Sequence, residues 1–263
     1  MLSGLIVYSP IDKEKNTWFI DKCIERFASK GVSLLYVDED QVLNYTKDHQ
    51  VDFVLYRARN YRLLEELENK GIRCFNNSLT NKTANDKSLT YKFLKSHQIE
   101  CLSSSLLPEG IGQYPMIMKS VDGHGGQEVY LLNSKEDVKH YQKADKEYLY
   151  QKYYPNDGDL RLYVLNKRVI GSVLRHNSAD YRSNFSLGGE VKVYQPEKEI
   201  VETALKIANL LKADYIGVDF LKVDNHWLVN EIEDPVGARM LYKTMGLDIT
   251  NLLIDYIFST LIH

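Results

Sequence analysis

The sequence predicts a mixed α/β fold that begins with an open sheet covered by helices. In the first third of the 263 residues, short β-rich runs alternate with helical patterns, which is typical of βαβ units. Hydrophobic residues make up 44% of the chain, which is enough for a sizeable core in one large domain or in two to three small ones. No internal repeat or low-complexity tract interrupts the pattern.

Residues 1–84 contain three predicted strands and two predicted helices. The strands are GLIVYS, SLLYV and DFVLY, and the helices are TWFIDKCIERFASKG and RLLEELENKG. Gly31 follows the first helix at the position where glycine commonly closes a helix in the left-handed conformation. These elements predict a small open sheet as the first domain.

The pattern changes in residues 85–150, which we expect to form a second unit. An amphipathic helix, NDKSLTYKFLKSHQ, precedes the strand PMIMKS and the glycine-rich turn of VDGHGGQEVYLL. Ser134 and Asp137 predict a capped helix over SKEDVKHYQ. The β-rich run EYLYQKYY ends this part of the chain.

Residues 151–263 are expected to form a third unit. Two strands, RLYVL and RVIGSVLR, meet at Asn166 and Lys167, and a polar loop follows them. A helix is predicted over residues 196–212, then a β-hairpin rich in acidic residues, then a helix that begins after Asp248 and closes the chain.

Composition excludes several classes of function. The formal net charge of −3 shows no basic excess of the kind that drives nucleic-acid binding. The three cysteines, Cys23, Cys74 and Cys101, are far apart and have no metal-site spacing, so we expect reduced, buried thiols. Because no apolar run reaches the length of a membrane span or a signal segment, we expect a cytoplasmic protein.

The most informative segment is the acidic hairpin GVDFLKVDNHWLVNEIEDP, from Gly217 to Pro235. It carries Asp219, Glu231 and Glu233 in β-rich runs where a plain hairpin would favour valine. Side chains alternate along a strand, so Glu231 and Glu233 share one face.

The length of the turn decides on which face Asp219 lies. A turn made of Asp224 and Asn225 alone places Asp219 on the face opposite Glu231. A three-residue loop that also includes His226 places Asp219 directly across from Glu231. We expect the three-residue loop, because it brings three carboxylates together.

Converging carboxylates repel one another unless a cation is present. All-oxygen ligands of this kind suit Mg²⁺ or Mn²⁺ rather than Zn²⁺, so the hairpin predicts a metal site of Asp219, Glu231 and Glu233. The alternative is a solvated polar face with unrelated acids.

A magnesium site of this type commonly carries phosphates, and two upstream segments are candidates for binding them. Lys119 ends a strand, and the turn that follows contains Gly123, Gly125 and Gly126, whose backbone amides can approach an anion. Lys87, at the start of a helix, is a second candidate. An ordinary glycine-rich turn and a solvated lysine are the alternatives, and neither segment fits the P-loop or dinucleotide pattern.

Together these motifs resemble the ATP-grasp carboxylate–amine ligases, in particular the RimK-like, α-L-glutamate-type branch. The resemblance covers the chain from about Asn85 to its end and rests on four segments in the same order as in the family: PMIMKSVDGHGGQEV, EYLYQKYYPNDGDLRLYVL, DYRSNFSLGGE and GVDFLKVDNHWLVNEIEDPVG. It implies two α+β subdomains that clasp ATP, preceded by a small Rossmann-like α/β domain.

The resemblance also implies cofactors and residue roles. ATP and two Mg²⁺ or Mn²⁺ ions are the implied cofactors, with the ions bound by the three hairpin carboxylates. The implied nucleotide contacts are Lys87, Lys119, Gly123, Gly125, Gly126, Gln151, Lys152, Asp159, Arg182, Ser183 and Asn184. Lys119, Arg161 and Asn184 are the candidate catalytic residues among the implied phosphate contacts.

The implied reaction joins a carboxylic acid to an amine through an acyl phosphate, with an amino acid, a peptide or a protein tail as a substrate. Arg175 and Arg239 are candidate substrate contacts, and an ordinary ion pair is the alternative for Arg161 and Arg239. Arg57 and Arg59 are expected to be exposed loop charges, with substrate specificity as the alternative. A kinase-type ATP-grasp phosphotransferase and a nucleotide-binding module without catalysis are the alternative functions.

The sequence departs from the family pattern at three places. Glu233 replaces the usual asparagine and adds a negative charge to the predicted metal site. Lys152 replaces a glutamate that is common in the family's hinge, the segment near Gln151 and Lys152 whose backbone is implied to hold adenine. The segment from Asp234 to Gly237 replaces the usual small-Ser-Pro-Gly turn.

Overall fold

A computed structural model describes residues 2–126, 128–156, 158–176 and 190–262. The amino-terminal part forms a parallel four-stranded sheet in the order β2-β1-β3-β4. Its strands are β1 (Ser3–Tyr8), β2 (Ser33–Asp38), β3 (Phe53–Tyr56) and β4 (Arg73–Phe75). This is the open sheet that the alternating pattern of residues 1–84 predicts.

Helices cover this sheet. They are α1 (Pro10–Ser29), α2 (Val42–Asp48) and α3 (Tyr61–Asn69), whereas α4 (Ser78–Asn85) follows β4 and packs against α3. Helix α1 begins earlier than predicted, because Ser9 caps it by accepting a hydrogen bond from the backbone of Asp12 at 3.2 Å. Gly31 follows its end with φ of +72°, as expected for the residue that closes a helix.

A second sheet is antiparallel and has the order β5-β8-β6-β7. Its strands are β5 (Ser104–Ser105), β6 (Met116–Ser120), β7 (Val129–Leu132) and β8 (Tyr148–Lys152). Two helices accompany it, α5 (Lys87–Ser96) and α6 (Lys135–Tyr141), and a short 3₁₀ helix spans Pro108–Gly110. The capping box of Ser134 and Asp137 is present at the start of α6.

A third sheet, antiparallel with the order β11-β10-β9-β12-β13, carries the acidic hairpin. Its strands are β9 (Gly158–Leu165), β10 (Arg168–His176), β11 (Glu190–Val193), β12 (Tyr215–Val223) and β13 (His226–Glu233). The accompanying helices are α7 (Lys198–Leu211), α8 (Arg239–Met245) and α9 (Ile249–Ile262). Helix α7 begins two residues later than predicted, because Glu197 occupies the N-cap position.

One hydrophobic cluster joins the first sheet to the third. Phe53 of β3, Tyr163 of β9 and Leu253 of α9 belong to it, and each is almost completely buried. The first domain is therefore packed against the sheet that carries the hairpin. This contact places the carboxyl ends of β1 and β3 beside the carboxylates.

The hairpin turn has two residues, and the prediction of a three-residue loop is wrong. Asp224 and Asn225 form the turn with φ of 48° and 66°, and Val223 pairs with His226. The register then shifts by one residue, because Phe220 pairs with Val229 whereas Asp219 pairs with Glu231.

The residue left over by this shift is Asn230, which forms a β-bulge. The bulge reverses the alternation that the two-residue turn would otherwise impose. The predicted pairing of Asp219 with Glu231 is confirmed, although its cause is a bulge in β13 and not a longer turn.

Cys23 and Cys74 are buried, Cys101 is half-buried, and all three are free thiols. Within the described residues, no single helix is both long enough and apolar enough to cross a membrane. Helices α8 and α9 reach that length and apolarity only when they are taken together, as a pair bent by 119°.

Candidate active site

The charged side chains of the third sheet gather where β9, β10, β12 and β13 lie side by side. In register, Asp159 pairs with Arg175, Arg161 with Asp219, and Asp219 with Glu231. Paired residues project to the same face of a sheet. The antiparallel order of these four strands therefore collects acids and arginines on one surface.

Three carboxylates of this surface meet as the sequence predicts. Oxygen atoms of Asp219, Glu231 and Glu233 lie within 4.8 Å of one another. Asp219 is buried, and the two glutamates are half-buried. A set of three carboxylates at this spacing suits a hard divalent cation such as Mg²⁺ or Mn²⁺.

Two arginines neutralise the same carboxylates. Arg161 donates from Nε and Nη2 to the two oxygens of Asp219, both at 2.6 Å, and from Nη2 to Glu233 at 2.7 Å. Arg175 donates to Asp219 at 2.5 Å and to Asp159 at 2.7 Å. Both arginines are buried, and the ion pair expected as the alternative for Arg161 is present.

This arrangement shifts the pKa values of the two aspartates in opposite directions. Burial alone would raise the pKa of Asp219, but Arg161 and Arg175 outweigh it and hold that pKa below its ordinary value. Burial also raises the pKa of Asp159, and Arg175 offsets that effect only in part. Asp219 is thus held ionised, as a metal ligand must be.

Two lysines approach the carboxylates from the second sheet and from α5. The Lys87 ammonium lies 3.3 Å from Glu231 and also donates to the backbone oxygen of Gly123. Lys119, on β6, donates to the side chain of Asn230 at 2.9 Å. Burial lowers the pKa of Lys119 to about 8, although Glu231 partly opposes this effect.

The predicted glycine loop lies beside these lysines. Gly123, Gly125 and Gly126 line one cleft together with Lys87 and Lys119. Gly125 and Gly126 have φ of 66° and 72°. Residues with a side chain rarely adopt this backbone conformation, so the loop depends on glycine. The structure therefore brings the two candidate phosphate-binding segments together.

The same cleft extends away from the charges between apolar walls. Leu102, Ile117 and Leu221 line it, and Gln151 and Lys152 lie at the end of β8. The side chain of Gln151 is buried and donates to the hydroxyl of a tyrosine in α5, whereas Lys152 is exposed. A flat apolar base fits between such walls, with backbone groups of β8 at its edge.

A second cavity, of about 560 Å³, lies between the first sheet and the acidic hairpin. This cavity adjoins the cleft, because the two share lining residues. The shared residues are Lys87, Gly123, His124, Gly125, Arg175, Glu231 and Glu233. The carboxylate cluster therefore stands at the junction of two binding spaces.

Three further arginines of the second cavity differ in their surroundings. Arg57 is buried, so its expected place among exposed loop charges is wrong; it directly follows β3 and is covered by the segment after the hairpin. Arg59 is half-buried and pairs with Asp12 at 2.5 Å. Arg239 begins α8, is exposed, and donates to the backbone of Lys15 at 2.7 Å. All three arginines line the second cavity.

Sequence reasoning missed two residues of this region. Asn230 holds Lys119, and only its position next to Glu231 hinted at a role. Asp234 is buried and accepts hydrogen bonds from Asn76 at 2.7 Å and from Asn81 at 2.9 Å, which ties the hairpin to the first domain. No local pattern signals the contacts of Asp234, because its two partners are more than 150 residues away in the chain.

Three predicted nucleotide contacts, Arg182, Ser183 and Asn184, lie outside the described residues.

A family model described as the RimK-like ATP-grasp domain matches residues 84–257. The chain belongs to the RimK-like ATP-grasp family. The predicted ATP-grasp fold is confirmed, and the match includes every described residue of the carboxylate and lysine cluster.

Several known proteins are similar to this RimK-like chain. An uncharacterized protein of Mycoplasma genitalium is 32% identical over 97% of this chain and 92% of its own length. Beta-citrylglutamate synthase B of Mus musculus is 28% identical over 76% of this chain and 56% of its own length. Among solved structures, a D-alanine–D-alanine ligase from Bacillus anthracis complexed with ATP superposes with a TM-score of 0.78. It is 17% identical, and the match covers 100% of this chain and 97% of that one.

RimK-like ATP-grasp proteins are ATP-dependent carboxylate–amine ligases, which use ATP and divalent metal ions. This chain is accordingly an ADP-forming ligase that makes a carbon–nitrogen bond. The kinase-type and non-catalytic alternatives are not supported by its relatives.

Proposed function

We propose that this ligase activates a carboxylic acid as an acyl phosphate at the junction of its two cavities and then transfers the acyl group to an amine. One observation carries the proposal. The residues shared by the nucleotide cleft and the second cavity include two carboxylates, a lysine and an arginine. A phosphoryl group that passes from one space to the other has to cross this junction.

The cleft of the second sheet is the proposed ATP site. Adenine would lie between Leu102, Ile117 and Leu221, with the backbone near Gln151 and Lys152 at its edge. The triphosphate would then extend toward the glycine loop. Asp159 lines the same cleft, which supports its proposed position near the ribose, although its carboxylate is held by Arg175.

The phosphates would be bound by Lys87, Lys119 and the amides of the glycine loop. Both lysines point at the carboxylate side of the cleft, since one contacts Glu231 and the other contacts Asn230. Positive groups fixed in this way stabilise the charge that develops during phosphoryl transfer. We propose the same kind of contact for Arg182, Ser183 and Asn184.

Asp219, Glu231 and Glu233 would hold two divalent cations of the kind that the family uses. The donor set fits them, because it consists of three oxygen ligands within 4.8 Å. When bound, such cations neutralise the phosphates and polarise the bond that breaks. Within the described residues, four carboxylates face four cationic side chains here, so the charges of the protein groups balance one another.

Arg161 would contact the transferred phosphoryl group, and Arg175 and Arg239 would contact substrate. All three line the second cavity, and Arg161 and Arg175 each carry a guanidinium fork at the junction. A fork of this geometry suits phosphate and carboxylate oxygens. The loop around Gly125 would exclude water from the acyl phosphate.

The acid and the amine would meet in the second cavity. An amino acid, a peptide or a protein tail fits the role of amine, and glutamate is a specific candidate because the mouse relative is named for a citrylglutamate product. We also propose a cytoplasmic location, because the reaction consumes ATP. Neither a nucleic acid nor a membrane is part of the proposed reaction.

The proposed domains are residues 1–84, 85–150 and 151–263. The three separate sheets support this division, with β8 lying across the second boundary.

Hydroxylamine trapping tests the proposed function. The enzyme is incubated with ATP, Mg²⁺, hydroxylamine and a pool of carboxylic acids, and hydroxamates are identified by mass spectrometry. We expect a hydroxamate and an equal amount of ADP, both absent with Glu231→Gln. ADP release that needs a single acceptor and gives no hydroxamate would contradict the ligase mechanism.

A further inference from the structure

Arg57 occupies the crevice where the first sheet changes direction. The chain runs from β1 outward to β2 and then returns to β3 on the other side of β1. Open α/β sheets bind ligands at such a switch point, beyond the carboxyl ends of the strands. Arg57 directly follows β3, is only 5% exposed, and lines the second cavity.

The guanidinium of Arg57 touches only uncharged groups in the described part of the chain. It donates to the backbone oxygen of Val236 at 2.6 Å and to the hydroxyl of Tyr8 at 3.3 Å. The rings of Phe19 and Tyr215 lie 5.4 Å and 5.8 Å from it. The residues that the structure describes place no carboxylate within ion-pair distance of Arg57.

The Nη1 group of Arg57 remains available. The two hydrogen bonds of the guanidinium use Nε and Nη2, and Nη1 carries two further N–H groups. Nη1 has no hydrogen-bond partner among the described residues, yet it is not one of the enclosed polar atoms that lack a partner. Nη1 therefore reaches the surface, where a ligand in the cavity could accept hydrogen bonds from it.

The other arginines of the cavity are satisfied differently. Arg59 pairs with Asp12, and Arg161 and Arg175 pair with acids of the third sheet. The charge of Asp234 acts on Arg57 without a direct contact, but the oxygens of Asp234 already accept hydrogen bonds from two asparagines. A buried charge without a counter-ion is costly, and an anionic ligand would remove that cost.

We propose that Arg57 is a specificity-determining residue that binds a carboxylate of the substrate other than the one that becomes activated. Arg57 lines the second cavity but not the nucleotide cleft, so it lies away from the junction where phosphoryl transfer is proposed. The molecule that it selects carries a distal carboxylate, as a dicarboxylic acid or an acidic amino acid does. This inference rests on the proposed ligase reaction.

The test compares matched pairs of ligands that differ by one charge. The amine arm uses L-glutamate against L-glutamine and L-aspartate against L-asparagine. The acid arm uses glutarate against its monoamide and succinate against its monoamide. Calorimetry with Mg²⁺ and a non-hydrolysable ATP analogue gives dissociation constants, and ADP release gives kcat/KM for the same compounds.

The variants are Arg57→Met, which removes the charge, and Arg57→Lys, which keeps the charge but loses the fork. Arg168→Met is the control, because Arg168 is an exposed arginine at the start of β10 and does not line the second cavity. Circular dichroism verifies that each variant is folded. If Arg57→Met does not fold, Arg57→Lys decides the result.

We expect wild type to bind the charged member of at least one pair about 30-fold more tightly than its amide. Arg57→Met should reduce this preference to about threefold or less by weakening only the charged member, and Arg57→Lys should lose about tenfold. The arm that shows the effect identifies which substrate carries the distal carboxylate. Arg168→Met should keep the wild-type preference.

Two results would overturn the role of Arg57. One is the absence of any charge preference in wild type across all four pairs. The other is an equal weakening of both members of a pair in the Arg57 variants, which indicates a purely structural residue. A retained charge preference without ADP release would instead contradict the proposed reaction and leave the assignment of Arg57 supported.

Discussion

Asp219 lies directly across from Glu231 on paired strands, although the turn that joins the strands has only two residues. With regular pairing, a turn of this length would put the two carboxylates on opposite faces. The β-bulge at Asn230 absorbs one residue and restores them to the same face. A single extra residue in β13 thus creates the candidate metal site.

The bulge also presents the side chain of Asn230 to Lys119, which leads to the first prediction. Asn230→Ala removes the acceptor that holds the Lys119 ammonium at 2.9 Å. Because a hydrogen bond to a charged group is lost, we expect the affinity for ATP to fall about tenfold. Calorimetry with ATP and Mg²⁺ measures this, with the exposed Asn209→Ala as the control. An unchanged affinity would show that Asn230 does not position Lys119.

The lowered pKa of Lys119 predicts how nucleotide binding depends on pH. Burial brings this pKa to about 8, so the ammonium loses its proton as pH rises through that value. The charged form attracts phosphates, and we therefore expect kcat/KM for ATP to fall above about pH 8. In Lys119→Arg the side chain stays charged, so the same decline should disappear. Identical profiles for the two proteins would contradict the prediction.

Asp234 predicts a pH dependence of stability. Burial raises its pKa to about 6 in the folded protein, despite the hydrogen bonds from Asn76 and Asn81. Between about pH 4 and pH 6 the unfolded chain therefore binds fewer protons than the folded one, so this group's contribution to stability falls as pH rises.

The measurement compares the free energy of unfolding of wild type and Asp234→Asn in urea from pH 5 to pH 8. Wild type should lose about 1 kcal/mol relative to the variant as pH rises across this range. The control is Asp21→Asn on α1, because Asp21 is exposed and forms no ion pair with the described residues. A difference between wild type and Asp234→Asn that does not vary with pH would refute the prediction.

The extra charge of Glu233 predicts a change in cation affinity. Glu233→Gln removes one of the three carboxylates but leaves a side chain of the same size. Because one fewer negative charge then attracts the cation, the Mg²⁺ concentration for half-maximal turnover should rise about tenfold. The maximal rate should change little. Glu197→Gln, at the start of α7 and outside the site, is the matched control. A half-saturating concentration equal to that of wild type would show that Glu233 is not a ligand.

The sequence predicted those features that depend on local pattern. The alternation of residues 1–84 predicted the parallel sheet, and the resemblance of later motifs predicted the ATP-grasp fold. The pairing of Asp219 with Glu231 was also predicted, but from a wrong turn length. A bulge arises from packing along the whole sheet, so the hairpin sequence does not reveal it.

Contacts between distant segments could not be predicted in this way. Arg57 reads as an exposed loop charge after a strand, yet the segment around Val236 covers it. In the sequence Asp234 belongs to the acidic segment after the hairpin, yet in the structure it is buried and accepts hydrogen bonds from Asn76 and Asn81. Such burial depends on how the first domain packs against the third sheet, and no periodicity within either segment encodes that packing.

The central claim is that the carboxylates at positions 219, 231 and 233 bind divalent cations at the triphosphate. A titration with Mn²⁺, followed by electron paramagnetic resonance in the presence of a non-hydrolysable ATP analogue, tests it most directly. Wild type should bind about two Mn²⁺ ions per chain, and Glu231→Gln should bind at least one fewer. An undiminished number of bound Mn²⁺ ions in Glu231→Gln would contradict the account.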